Sequence, residues 1–146
     1  MASPQCPCPT LTVPSDPRML SIVGTFVEGV CQARQVDWNT IHAIVLATGE
    51  AVTNIVRHAH RDRPERSFEV QCEVDKETVV VTLIDQGEPF DLTQVPKLDP
   101  SELRIGGRGV FLMRTLMDEV SSQTLGDSGN RLRLVKRWPS VVRDCG

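Results

Sequence analysis

Phe68-Glu69-Val70-Gln71-Cys72-Glu73-Val74-Asp75 is followed, across Lys76-Glu77, by Thr78-Val79-Val80-Val81-Thr82-Leu83-Ile84. In the first stretch Phe68, Val70, Cys72 and Val74 fall on one side of an extended chain. Glu69, Gln71, Glu73 and Asp75 fall on the other, the period-two pattern of a strand with one packed and one wet face. The second stretch is a nearly continuous apolar run, which suits a central strand. Downstream, 119–125 and 130–138 read as two further strands joined by the turn Asp127-Ser128-Gly129-Asn130. Upstream, Thr10 to Val13 reads as a short edge strand. Asp16-Pro17 has the form of an N-cap with proline at the first helical position. Leu20, Val23, Val27 and Val30 then recur at helical spacing, so a first helix is expected from about Asp16 to Arg34. A second helix, capped by Asp37, is expected to run to about Ala59, and a third from Gly109 to about Asp118. The fold class is α+β: a two-layer sandwich whose mixed, mainly antiparallel sheet carries its helices on one face.

The 146 residues are enough for one domain with its own core, without disulfides or metals. Residues 1–9, with three prolines and two cysteines, are expected to be a flexible tail. Residues 10–138 form the expected domain, and 139–146 a second tail. A net charge of −3 and the lack of a basic stripe argue against general nucleic-acid binding. The longest apolar runs are too short to span a bilayer and the N-terminus lacks a signal pattern, so a cytoplasmic chain is expected. Cys6, Cys8, Cys31, Cys72 and Cys145 are odd in number and scattered, which is no disulfide framework. Cys6-Pro7-Cys8 has no second cysteine pair at ligand spacing, so reduced thiols, two or three of them in the core, are expected. Residues 86–105 contain Pro89, Pro96 and Pro100 and no sustained period; a loop of that length in a compact domain suits an active-site lid.

Three stretches bear chemistry. On the second helix, Ile41, Ile44, Val45, Thr48, Val52, Ile55 and Ala59 form one apolar face at about 100° per residue. Glu50 and Asn54 share another face one turn apart, with Ala43 and Ala47 leaving room beside them. A carboxylate and an amide oxygen are hard donors suited to magnesium, and a glutamate beside the metal can accept a proton. Next, Asp85 ends the central strand and Gly87 permits a sharp turn, so the carboxylate can read a donor amine such as that of adenine. Pro89-Phe90 then offers an apolar contact. Lastly, Gly106-Gly107-Arg108-Gly109-Val110 opens a helix, where backbone N–H groups and the helix N-terminus favour an anion. Arg104 and Arg108 can add charge-assisted bonds to phosphate. Each stretch alone has a plain alternative: a solvated polar face, an ordinary strand-ending turn, a flexible hinge. His42, His58 and His60 lack a ligand set and read as structural, and Met113 and Met117 read as core.

Taken in order, Gly49-Glu50-Ala51-Val52-Thr53-Asn54, Asp85-Gln86-Gly87-Glu88-Pro89-Phe90-Asp91 and the run from Gly107 through Val120 resemble the GHKL superfamily with its Bergerat ATP-binding fold. The chain is most similar within it to the anti-sigma factor serine/threonine kinases, from about Thr10 to Trp138. The resemblance implies Glu50 as general base and Asn54 as magnesium ligand. It implies Asp85 on adenine, Gly87 and Phe90 shaping the base pocket, and Gly106, Gly107, Gly109 and Val110 around the phosphates, with Arg104 or Arg108 near the terminal one. It further implies ATP and Mg2+, a sigma factor and a STAS-domain anti-sigma antagonist as partners, and a homodimer. Asn130 departs from the family pattern, where threonine commonly follows the glycine, and Arg108 stands where smaller residues are common. Two rivals use the same motifs: an ATP-responsive binding switch without transfer, and simple ATP hydrolysis.

Overall fold

The computed structural model describes residues 8–59, 65–86, 108–125 and 129–139, with only the backbone of His58, Ala59 and Arg108. Its elements are β1 (Thr10–Pro14), α1 (Leu20–Ala33), α2 (Trp38–Asn54), β2 (Ser67–Val74), β3 (Thr78–Asp85), α3 (Arg108–Leu116), β4 (Glu119–Thr124) and β5 (Asn130–Arg137). The sheet order is β1-β2-β3-β5-β4. Every neighbouring pair is antiparallel. The apolar run Thr78–Asp85 is therefore the central strand, and Thr10–Pro14 lies at an edge, both as the sequence pattern implies.

Alternation sets which face of the sheet is packed. Phe68, Val70 and Cys72 of β2, Val79, Val81 and Leu83 of β3, and Leu134 of β5 are all buried beneath the helices. Burying side chains of this size contributes roughly 1.5–3 kcal/mol each. The β2–β3 hairpin is closed by Asp75, whose carboxylate accepts from the backbone N–H of Glu77 (2.8 Å) and Thr78 (2.7 Å). Trp138 ties the end of β5 to this hairpin: its indole N–H donates to the Asp75 carbonyl at 3.1 Å, and its backbone N–H to Glu77 O at 2.9 Å.

The helices begin where their caps indicate. Asp16 accepts from Arg18 N at 2.8 Å, but the first turn, Pro17–Met19, is 3-10, and the α-helix proper starts at Leu20. Asp37 accepts from Thr40 N at 3.1 Å and from the Thr40 hydroxyl at 2.7 Å, which fixes the start of α2. The expected continuous helix to Ala59 changes character after Asn54: Ile55–Ala59 form a wider, π-helical turn.

Two expectations about faces need correction. On α1 the core residues are Val23, Val27 and Cys31, whereas Leu20 is 41% exposed. Leu20 precedes the sheet-facing stripe and instead reaches over α2, with Gly49 beneath it. On α2, Ala47 leaves no open space beside Glu50, because it is fully buried in the core. The third helix packs against α2, with Gly109 beside Glu50 and Asn54. Met113 of α3 and Met117 just beyond its end are core residues, as expected.

Cys31 and Cys72 are buried free thiols on α1 and β2. Contact with Cys31, together with burial, pushes the Cys72 thiol up and keeps it protonated. No helix among the described residues is long and apolar enough to cross a membrane. Gly87, Phe90, Arg104, Gly106, Gly107, His60, the proposed lid beyond Gln86 and most of both tails lie outside the described residues.

Candidate functional site

Glu50 and Asn54 lie on the last turns of α2, and both are partly accessible. The helix presents them toward the start of α3. A methyl group added at Gly109 would stand 3.0 Å from Glu50 Oε2, 3.5 Å from Asn54 Oδ1 and 3.7 Å from Asn54 Nδ2. The absence of a side chain at 109 is therefore what lets the N-terminal turn of α3 close on both groups. Two motifs more than fifty residues apart thus meet at one point, with a helix N-terminus beside a carboxylate and an amide. That end of a helix stabilises anions through its unpaired N–H groups and dipole.

Asp85 is the second centre. It ends β3, is 6% exposed, and sits in register with Asn130, the first residue of β5, which is 5% exposed. Asn130 Nδ2 donates to Asp85 Oδ1 at 3.0 Å, so a buried carboxylate is held in place by a buried amide. The turn that delivers Asn130 depends on Gly129. Its φ is +98°, and a Cβ there would stand 1.9 Å from the Asp85 carbonyl oxygen. Leu125 N donates to Gly129 O at 2.7 Å and closes the β4–β5 connection. On the other side, Arg66 Nη1 donates to the Gln86 carbonyl at 3.3 Å, anchoring the chain as it leaves β3.

The two centres are joined by one cavity. Ala51, Asn54, Ile55, Asp85, Ser122, Asn130 and Leu132 are among its lining residues. Its accessible volume among the described residues is about 30 Å³, room for about one ordered water among Asn54, Asp85 and Asn130. Ala51 and Ile55 supply apolar walls from the same helix that carries Glu50 and Asn54. The arrangement puts a helix N-terminus and a buried carboxylate–amide pair on either side of the C-terminal turns of α2.

A nucleotide with its magnesium ion fits this donor set. Asn54 offers one hard oxygen, and the methyl-free surface at Gly109 lets an anion approach the α3 N–H groups. A magnesium ion held by few protein oxygens takes the rest of its shell from phosphate and water. The sequence reading identified Glu50, Asn54, Asp85 and Gly109, and these are brought together. Asn130 entered that reading only as a departure from the family pattern, and Gly129 only as part of the turn before the last strand. The signal for Gly129 was its place before a strand whose first residue is opposite Asp85, a fact of register that the linear sequence does not contain.

A sheet with helices on one face, an acid–amide pair on one helix, an aspartate ending the central strand and a glycine-opened helix define an ATP-binding domain of the GHKL type. Comparison with known proteins agrees. Residues 13–136 match the family model of the histidine kinase-like ATPase domain, and the chain belongs to that family. It is 31% identical over 134 residues to the serine-protein kinase RsbW of Bacillus velezensis, covering 86% of this chain and 82% of that one. It is 30% identical over 121 residues to RsbW of Bacillus subtilis, covering 77% and 76%. It is 31% identical over 119 residues to RsbW of Listeria innocua, covering 76% of each. The crystal structure of the RsbU and RsbW domains of a Mycobacterium tuberculosis protein shares the fold, with a TM-score of 0.64 and 20% identity. It covers 92% of this chain, which spans only 34% of that longer one. The chain is an enzyme, a protein kinase of the serine/threonine class.

Proposed function

We propose that this protein is a magnesium-ATP-dependent anti-sigma factor kinase. In one state it binds a sigma factor; in another it phosphorylates a STAS-domain antagonist on serine or threonine. The observation that carries the reading is the convergence of Glu50, Asn54 and Gly109 at one point. Bound magnesium-ATP supplies the γ-phosphoryl group. Phosphoryl transfer needs positioning and charge neutralisation more than covalent help from the protein, which suits so small a set of groups. Asn54 is the magnesium ligand. Glu50 accepts the proton of the acceptor hydroxyl as it attacks. Asp85, oriented by Asn130, reads the exocyclic amine of adenine. Gly106, Gly107, Gly109 and either Arg104 or Arg108 would bind the phosphates.

A protein acceptor has a place to dock. Between α1 and α2 runs a groove of about 400 Å³ whose lining includes Leu20, Gly24, Val45, Leu46, Gly49 and Glu50. Leu20 and Leu46 are 41% and 52% exposed there. A partly apolar groove that ends on Glu50 suits a folded protein substrate better than water or a small molecule.

The test is capture of partners from host extract, then incubation of the captured proteins with labelled magnesium-ATP. Label on a small STAS-like protein, lost with Glu50→Ala although nucleotide still binds, is the expected result. Asn54→Ala is expected to abolish magnesium-dependent nucleotide binding itself. Full transfer by the Glu50 variant would remove that residue as the base. Nucleotide-sensitive capture without label would favour a binding switch, and rapid phosphate release without any partner would favour simple hydrolysis.

A further inference from the structure

The groove between α1 and α2 carries a second carboxylate that the proposed reaction does not use. A methyl added at Gly49 would lie 3.7 Å from Leu20 Cδ1, and one added at Gly24 would lie 3.6 Å from Val45 Cγ1. The two helices therefore run antiparallel, with Leu20 level with Gly49 and Gly24 level with Val45. One turn further along α1 stands Glu28, half-buried and also lining the groove. Its carboxylate has no ion pair or hydrogen bond among the described residues. Glu28 and Glu50 are the charged residues of the lining, and no cation stands between them. Arg57 lines a separate cavity, beyond Thr53. Between the two carboxylates the surface is Leu46, Val45 and the bare backbone of Gly24.

We propose that Glu28 selects the protein substrate by a cation. The groove takes an extended segment with the acceptor hydroxyl at Glu50, a small or apolar side chain over Gly24 and Leu46, and a lysine or arginine at Glu28, about four residues from the hydroxyl. The inference rests on the kinase reading and names the segment that the groove accepts. Spacing supplies the number. Glu28 follows Leu20 by about 12 Å along α1, and Leu20 is level with Gly49, the neighbour of Glu50. An extended chain rises about 3.3 Å per residue, so about four residues cover that distance. Its side chains alternate, which turns the hydroxyl, the middle residue and the cation toward the groove together. Packed helices lie about 8–10 Å apart, axis to axis, and a third helix about 10–12 Å across is too wide to enter between them. A strand, which occupies about 5 Å, is not.

Charge decides the occupant. A like charge set against a partly buried carboxylate is penalised, whereas a cation gives it the partner that this chain does not supply. A second feature points the same way. Past Leu46 the outer edge of α2 continues through His42 to Trp38, both exposed, with ring centroids 5.6 Å apart. Trp38 stands about one turn past the level of Glu28, and an indole ring attracts cations to its face. Carboxylate and indole therefore favour the same chemistry at the end of the groove farthest from Glu50.

The test uses the full chain, magnesium-ATP and the host protein that the wild-type chain labels, with the modified residue mapped by mass spectrometry. A lysine or arginine is expected at the stated spacing from the labelled serine or threonine. Glu28→Lys is expected to raise KM for that protein at least about tenfold at about 0.1 M salt, with kcat retained. The difference should shrink at about 1 M salt, where exposed charges are screened beyond about 3 Å. Changing the substrate's cation to glutamate should weaken transfer by the wild-type chain and restore transfer by Glu28→Lys. Glu28→Gln is expected to show a smaller rise in KM and carries the same test should the lysine variant fold poorly. Nucleotide affinity is expected to be unchanged in both. Wild-type KM in the variants, a labelled site without a cation at that spacing, or a charge exchange that fails to rescue would each overturn the proposal. Absence of any label from the wild-type chain would overturn the kinase reading and this inference with it, whereas label indifferent to Glu28 leaves that reading standing.

Discussion

Gly109→Ala separates the site from the fold more cleanly than any other single change. The added methyl would lie 3.0 Å from Glu50 Oε2 and 3.5 Å from Asn54 Oδ1. The first contact is shorter than carbon and oxygen tolerate, so one side chain must yield by a few tenths of an ångström. Glu50 has a flexible chain, and its displacement costs little stability. The backbone at 109 does not adopt a positive φ, so alanine is acceptable there. Alanine also raises helix propensity, by up to about 1 kcal/mol in a helix interior and less in a first turn. Stability is therefore expected to stay within about 0.5 kcal/mol of wild type, an ordinary span for a surface change. Catalysis is more sensitive: a misplacement of about 1 Å can cost about a hundredfold, so a shift of a few tenths should lower transfer about tenfold. Gly109→Val, with two further carbons at the same point, should lower it at least about a hundredfold by the same argument. The assay is labelled transfer to the captured partner protein, alongside thermal melting and nucleotide titration. Wild-type turnover and nucleotide affinity in Gly109→Ala would refute the placement of this glycine against the reacting groups.

Asp85→Ala removes the buried carboxylate to which Asn130 Nδ2 donates and should cost about 1–3 kcal/mol of stability along with nucleotide affinity, read by chemical denaturation and nucleotide titration. Gly129→Ala meets the Asp85 carbonyl at 1.9 Å and forces φ of +98° on an L-residue. It should cost about 3 kcal/mol or more, seen as a melting temperature lowered by roughly 6 °C or more. Asp37→Ala removes both bonds to Thr40 at the start of α2 and should destabilise by about 1–2 kcal/mol, with nucleotide affinity of the folded fraction retained. Alkylation of Cys31 and Cys72 at mildly alkaline pH should occur only through opening of the α1–β2 layer, because both are fully buried and, in addition, contact with Cys31 and burial hold Cys72 well above the usual thiol range. Adding denaturant below the unfolding midpoint should therefore accelerate it, as followed by mass spectrometry of labelled peptides.

Much of the fold was legible because its signals are local. Alternation in 68–74, the apolar run of 78–84, and the caps Asp16 and Asp37 each depend on neighbours within a few residues, and each appears as read. The same holds for the pairing of Glu50 with Asn54, which needs only the pitch of one helix. The misread details are those that a second element decides. Leu20 belongs to the helical period of α1 but lies beyond the sheet, so it is exposed over Gly49. Ala47, read as leaving room for a ligand, is fully buried in the core.

By itself, then, the sequence determined the elements, their packed faces and the identity of the chemical groups, since periodicity and capping act over single turns. Only tertiary structure decided which groups meet. Gly109 touches Glu50 and Asn54 because α3 crosses α2. Asn130 reaches Asp85 because β5 pairs with β3 rather than with β2, and Gly129 makes the turn that permits it. These contacts are long-range, formed when burial of the inner sheet face fixes strand order, and no local rule along the chain specifies them.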